Sequence, residues 1–127
     1  MEPGIKGRCF YDTDARPPSV TFDDGKDCRR NFPWMRYAGS HWSYAEADVI
    51  RIEIDEWVVL LTGHNLAPLF AAIQAQTLKE IGVHPEWENE PTRANDTFAT
   101  KIQFAKLAAF APAPKQKAPS QMQMRLG

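Results

Sequence analysis

Around Val20 and Phe22 apolar and polar residues alternate, the pair Asp24-Gly25 follows, and a polar-rich alternation resumes through Cys28, Arg30 and Phe32. Alternation on both sides of a pair that tolerates positive φ predicts a β-hairpin, with strands near 19–23 and 26–32 and one wet face. A second alternation sets Ile50, Ile52 and Ile54 against Arg51, Glu53 and Asp55, the pattern of a half-buried antiparallel strand. Asp55-Glu56 then makes a poor tight-turn pair. Beyond it Trp57 to Leu61 is apolar at every position, which predicts a central strand buried on both faces.

After "LLTGHN" the period changes. Leu66, Leu69, Phe70, Ile73, Thr77 and Ile81 recur at helical spacing, with Leu78 at the edge of the stripe and Gln74, Gln76, Lys79 and Glu80 opposite. Asn65 suits the N-cap and Pro68 the first turn. Gly82 suits the left-handed residue that ends a helix, and Pro85 lies just beyond. One long helix is therefore expected. "PWMRYAGSHWSYAEAD" is aromatic-rich and broken by Pro33 and Gly39, so it reads as an ordered connection with a short helical turn that Ser40 or Ser43 can cap. "HPEWENEPTRANDT" reads as an exposed acidic loop. Residues 98–110 fit a strand through about Phe104 followed by a fraying or helical segment, and strand and helix both remain open there.

These elements predict an α+β fold: an antiparallel sheet of four or five strands with one long helix packed on one face. The expected organisation is an irregular lead-in over 1–18, where Pro17 and Pro18 oppose regular structure, a single domain over 19–110, and a disordered basic tail over 111–127. The total of 127 residues suits one domain with one core.

Charge modifies this picture. The net charge is −1, but residues 1–44 hold seven Lys/Arg against six Asp/Glu, residues 45–99 three against ten, and residues 100–127 five against none. Such asymmetry bears on partners rather than on fold. No apolar run approaches the ~20 residues of a membrane span, and "MEPGIKGRCFYD" has no signal-like apolar stretch, so a cytoplasmic protein is expected. Cys9 and Cys28 are too few for a zinc site made of cysteines alone, and a reducing compartment would leave them as free thiols. A disulfide between neighbouring strands is the other reading.

No catalytic signature emerges, and no cofactor is expected. A metal site would require His41, His64 and His84 to converge from three separate elements. Asp55 and Glu56 would point to opposite faces of a strand and could not act together as acid and base. Gly63, His64 and Asn65 form an anion-binding candidate, because a helix N-terminus favours negative charge and glycine admits close approach. The bland alternative is a turn glycine, a cap, and an imidazole in water. Lys26, Arg29, Arg30 and Arg36, with Trp34 nearby, form a nucleic-acid candidate of cations interleaved with aromatics. Against it, Arg29 and Arg30 point to opposite sides of a strand, and Asp23, Asp24 and Asp27 dilute the field. Trp34, Tyr37, Trp42, Tyr44 and Trp87 are interface candidates, since large aromatics anchor interfaces as readily as they fill cores. In the tail, Lys115, Lys117 and Arg125 could grip acidic surfaces.

The order strand, strand, "TGHNLAPLF", helix resembles a group of small bacterial proteins. They share an isoleucine/valine hairpin followed by a G-x-N-L-x-x-L helix start, here Gly63, Asn65, Leu66 and Leu69. The resemblance covers about residues 19–104. It implies a compact α+β domain and, with no activity assigned to the group, nothing about catalysis. The functional expectation is a non-enzymatic interaction module, self-associating or docking on a protein partner through a sheet edge or an aromatic surface. The alternatives are nucleic-acid binding through the basic hairpin and tail, and anion binding or a small enzyme activity at His64.

Overall fold

The structure is a computed structural model that describes residues 7–110; the proposed tail over 111–127 lies outside them. The strands in chain order are β1 (Asp12–Thr13), β2 (Ser19–Asp23), β3 (Arg29–Pro33), β4 (Tyr37–Trp42), β5 (Val49–Ile54) and β6 (Trp57–His64). Helix α1 (Ala67–Gln74) follows, then β7 (Leu78–Ile81) and β8 (Phe98–Lys106). They form two four-stranded sheets, ordered β1-β7-β2-β3 and β4-β5-β6-β8, rather than the expected single sheet. One continuous core joins them, with Val20, Phe22 and Phe32 from the first sheet and Ile50, Ile52, Ile54, Val59, Leu61 and Ile102 from the second. The first sheet recruits β7 next to β2 in parallel register and β1 next to β7 in antiparallel register. Those pairings close across long stretches of chain, which local periodicity does not encode.

The isoleucine row behaves as its alternation dictates: Ile50, Ile52 and Ile54 are buried while Arg51 and Glu53 face outward. Strand β6 is central, between β5 and β8. Its burial is less complete than an all-apolar run suggests, because Trp57 and Leu60 stay half-buried. Residues 98–106 resolve as strand, with a short 3-10 turn over Leu107–Phe110. Ser43 caps the turn at Tyr44–Glu46 by accepting from the Ala45 N–H at 3.1 Å.

The long helix is corrected to eight residues. It closes in a Schellman arrangement: the Gln76 N–H donates to the Ile73 carbonyl, the Thr77 N–H donates to the Ala72 carbonyl, and Gln76 takes the left-handed φ of 57°. The cause of the misreading lies in β7. Thr13 faces Leu78 and Asp12 faces Glu80, so Lys79 is an extra residue opposite a single step of β1. That bulge lets Leu78 and Ile81, three residues apart, both enter the core. A three-residue apolar spacing is thus shared by a helix and by a bulged strand. The described part of the lead-in is packed against the domain. Residues 8–10 bond to Thr97, β1 pairs with β7, and Pro17 is buried.

The two hairpin turns reverse the residue preferences. Asp24-Gly25 opens a five-residue loop, 24–28, rather than a tight turn. The Asp24 carboxylate collects the N–H groups of Lys26, Asp27 and Cys28 at 2.8, 2.8 and 3.1 Å. Those backbone donors hold the Asp24 carboxyl below its ordinary value. The tight turn falls at Asp55-Glu56, where both residues adopt positive φ, 50° and 65°. Glycine at the second position removes the strain of a side chain there. Glu56→Gly should therefore raise stability by about 0.5–1 kcal/mol and the melting temperature by about 4 °C. A urea melt showing no gain would mean that the greater freedom of glycine in the unfolded chain cancels the relief.

Candidate functional site

The sites suggested by sequence are distributed through the fold rather than gathered. In the anion candidate, Gly63 lies within β6 at a shift in its register with β8. A Cβ on Gly63 would run into the Phe98 carbonyl oxygen, so its role is close backbone approach and not a special φ. His64 is half-buried and stacks on Phe98, with ring centroids 5.0 Å apart. Asn65 is not the cap. The residue before α1 is Leu66, without a side-chain cap bond, while the Asn65 amide donates to the carbonyls of Ala94 and Asp96, each at 2.9 Å. The three residues thus moor the acidic loop to the end of β6.

The basic set is taken apart in the same way. Arg29 pairs with Asp23 at 3.9 Å and Arg36 with Asp55 at 3.3 Å. Trp34 is 4% exposed, and its indole N–H donates to the Leu78 carbonyl at 3.0 Å, so its ring is not available for stacking on a base. Among the interface aromatics, Tyr37 and Trp42 pack against the core, and Tyr44 is fully exposed. Trp87 lies flat on His84 at 3.9 Å, with the Arg93 guanidinium 3.6 Å from its ring centre. Two groups so close to one ring centre fit only on opposite faces. Phe10 and Phe98 meet its edges, so the loop tryptophan is a fastener for the 84–98 connection.

Cys9 and Cys28 are free. Cys9 and Tyr11 line an open hollow with His84. Burial, and then contact with Cys9, push the Tyr11 phenol well above its ordinary value. Among the described residues no group of three His, Cys, Asp or Glu is placed to hold a metal. No helix among them is long and apolar enough to cross a membrane.

The feature with functional geometry is a groove of about 640 Å³ between the 24–28 loop and β8. Five consecutive residues of β8, Thr100 to Phe104, line it. Neighbours on a strand point to opposite faces, so a hollow that touches all of them runs along the strand's edge. Strand β8 is the outermost strand of its sheet. Its first residues are covered, because Val83 bridges Ala99 and the His84 N–H donates to the Ala99 carbonyl. Farther along, the backbone alternation fixes what is presented. The Gly63 N–H turns to Asp48 on the β5 side, and the Leu107 N–H turns back to Glu56. Lys101, Gln103 and Ala105 therefore bond toward β6, while Ile102, Phe104 and Lys106 direct their backbone groups away from it.

Arg30 forms part of the groove wall. It pairs with Phe22 across the first hairpin and so points inward, in the same row as Phe32. Its guanidinium carbon lies 4.1 Å from the Trp57 ring centre and 5.4 Å from that of Phe104, both on the second sheet. Its Nε is buried without a hydrogen-bond partner among the described residues. Lys26 and Lys101 also line the groove. Of its acids, Asp24 is occupied by its own loop, which leaves Asp27.

Of this constellation, sequence reasoning found Arg30 and Lys26 but not Trp57, Phe104 or the β8 edge. One signal was present. "FATKIQFAK" carries two lysines and no acid, the dress of a strand that must stay unpaired with copies of itself. No family model matches the chain, and no curated protein or solved structure does.

Proposed function

We propose that the protein is a non-catalytic interaction module that receives an extended segment of a protein partner as an additional strand on β8. Strand addition uses main-chain hydrogen bonds for affinity and flanking pockets for selectivity. The observation that carries this reading is the edge of β8 lying open along a groove, beside a core that is otherwise closed over it. Self-association through the same edge is disfavoured by charge. Two β8 strands set side by side would bring Lys101 and Lys106 of each copy into a strip that holds no acid.

Nucleic-acid binding is the weaker reading, since Arg29 and Arg36 are each paired with an acid and Trp34 is buried. The open edge gives the proposal a signature in hydrogen exchange on the free full chain. The amides of Ile102, Phe104 and Lys106 should exchange faster than those of Lys101, Gln103 and Ala105. A partner strand should slow the first three. N-methylation of a bound peptide should abolish binding at every second residue and be tolerated between. Uniform sensitivity along the peptide, or protection far from β8, would sink the reading.

A further inference from the structure

We infer that the partner strand is acidic and that Arg30 recognises one of its carboxylates. This rests on the strand-addition reading and specifies its ligand. An arginine in an inward-facing row is costly: its buried N–H has no acceptor among the described residues, and an aliphatic side chain would fill the position without that loss. The rings of Trp57 and Phe104 offset part of the cost by cation–π attraction. They also hold the guanidinium at the groove wall, its carbon 4.1 Å from one ring centre and 5.4 Å from the other.

A planar fork held in place is suited to a carboxylate, which it engages through paired N–H donors. The surroundings agree. Lys26, Arg30 and Lys101 line the groove against Asp24 and Asp27, and Lys106 sits over Trp57 at 4.5 Å beyond it. Cations outnumber acids along the lining and Lys106 adds to the excess, so the field that an incoming strand meets is positive. The same lysines that repel a second copy of β8 attract a strand carrying Asp or Glu. Arg30 is at the place where strand addition brings a side chain down between the two sheets, so one acidic position should be read with selectivity and its neighbours only by diffuse attraction.

The test is selection of short random linear peptides on the immobilised full-length chain, wild type and Arg30→Gln in parallel. Binders from the wild type should share an alternating apolar pattern with Asp or Glu at one fixed position. Changing that acid to its amide in a synthetic peptide should weaken binding to the wild type about 10- to 100-fold. The same change should have little effect on binding to Arg30→Gln, so that the two changes are coupled. Arg30→Lys keeps the charge without the fork and should recover only part of the loss. It also serves where Arg30→Gln does not fold.

Binders that slow the β8 amides but show no fixed acid, or an acid whose loss adds independently to the Arg30 change, overturn the inference and leave strand addition standing. A selection with no binders, or with binders that protect amides elsewhere, overturns both. Concentration-dependent protection of β8 in the chain alone would make a second copy the occupant and overturn the acidic partner.

Discussion

Gly63→Ala should lower stability by about 3 kcal/mol or more and the melting temperature by about 10–20 °C, whether or not any ligand is present. The alanine methyl would strike the Phe98 carbonyl oxygen, stand 3.0 Å from Ala99 Cα and lie 3.1 Å from a Leu66 methyl. Two of these are backbone atoms of the adjacent strand, and Leu66 is itself 1% exposed, so there is little freedom to retreat. The site is further constrained by the Gly63 N–H, which donates to Asp48 at 2.9 Å. Gly82→Ala is the internal comparison. Its new methyl meets nothing nearer than Asp23 Cβ at 3.9 Å, so it should change stability by no more than about 0.5 kcal/mol. Urea titrations of the two variants decide the matter. Equal midpoints would mean that β6 and β8 can separate at the bulge more easily than their packing implies.

That pair of glycines shows where sequence reading carries and where it stops. Gly63 sits in a recognisable junction, and a site of close approach was a fair inference from its chemistry. What approaches it is a neighbouring strand, which only the β6–β8 register reveals. Gly82 followed an apolar row with helical spacing and so resembled a helix stop. The row is split between a two-turn helix and a bulged strand, and the bulge at Lys79 is decided by β1, remote in sequence. Alternating strands such as Ile50 to Ile54 were legible because burial on one face is a local, period-2 constraint. The pairing of β7 with β2 was not, because no residue in either segment names its partner.

The groove illustrates the same limit. Arg30 could be noticed as a cation within a hairpin. Its meaning changes when Trp57 and Phe104 arrive beside it from the other sheet. The aromatic candidates divide similarly. Tyr44 is exposed and Trp34 buried although both lie in one aromatic-rich connection, and the difference arises from which ring faces the core.

Trp34 provides the second large effect, and it separates a structural role from a recognition role. The residue opens the 3-10 turn Trp34–Arg36 between β3 and β4, the point at which the chain passes from the first sheet to the second. Its backbone N–H donates to Pro18 at 3.0 Å, its indole N–H donates to Leu78 at 3.0 Å, and its ring meets Tyr37 edge-on at 5.2 Å. One side chain thereby ties the crossover to β7. Trp34→Ala should cost about 3–5 kcal/mol, as for other large aromatics removed from a core. Trp34→Phe restores much of the apolar volume but leaves the Leu78 carbonyl without its indole donor, so it should cost about 1–3 kcal/mol. The loosening should begin in β7: the amides of residues 78–81 should gain exchange in Trp34→Phe before those of β5 and β6 do. If Trp34 served instead as a stacking platform for single-stranded nucleic acid, Trp34→Phe would leave the unfolding midpoint in place and weaken binding alone. Stability and binding measured on the same two variants therefore separate the roles. A buried indole that holds a backbone carbonyl at 3.0 Å requires the loss to fall on stability.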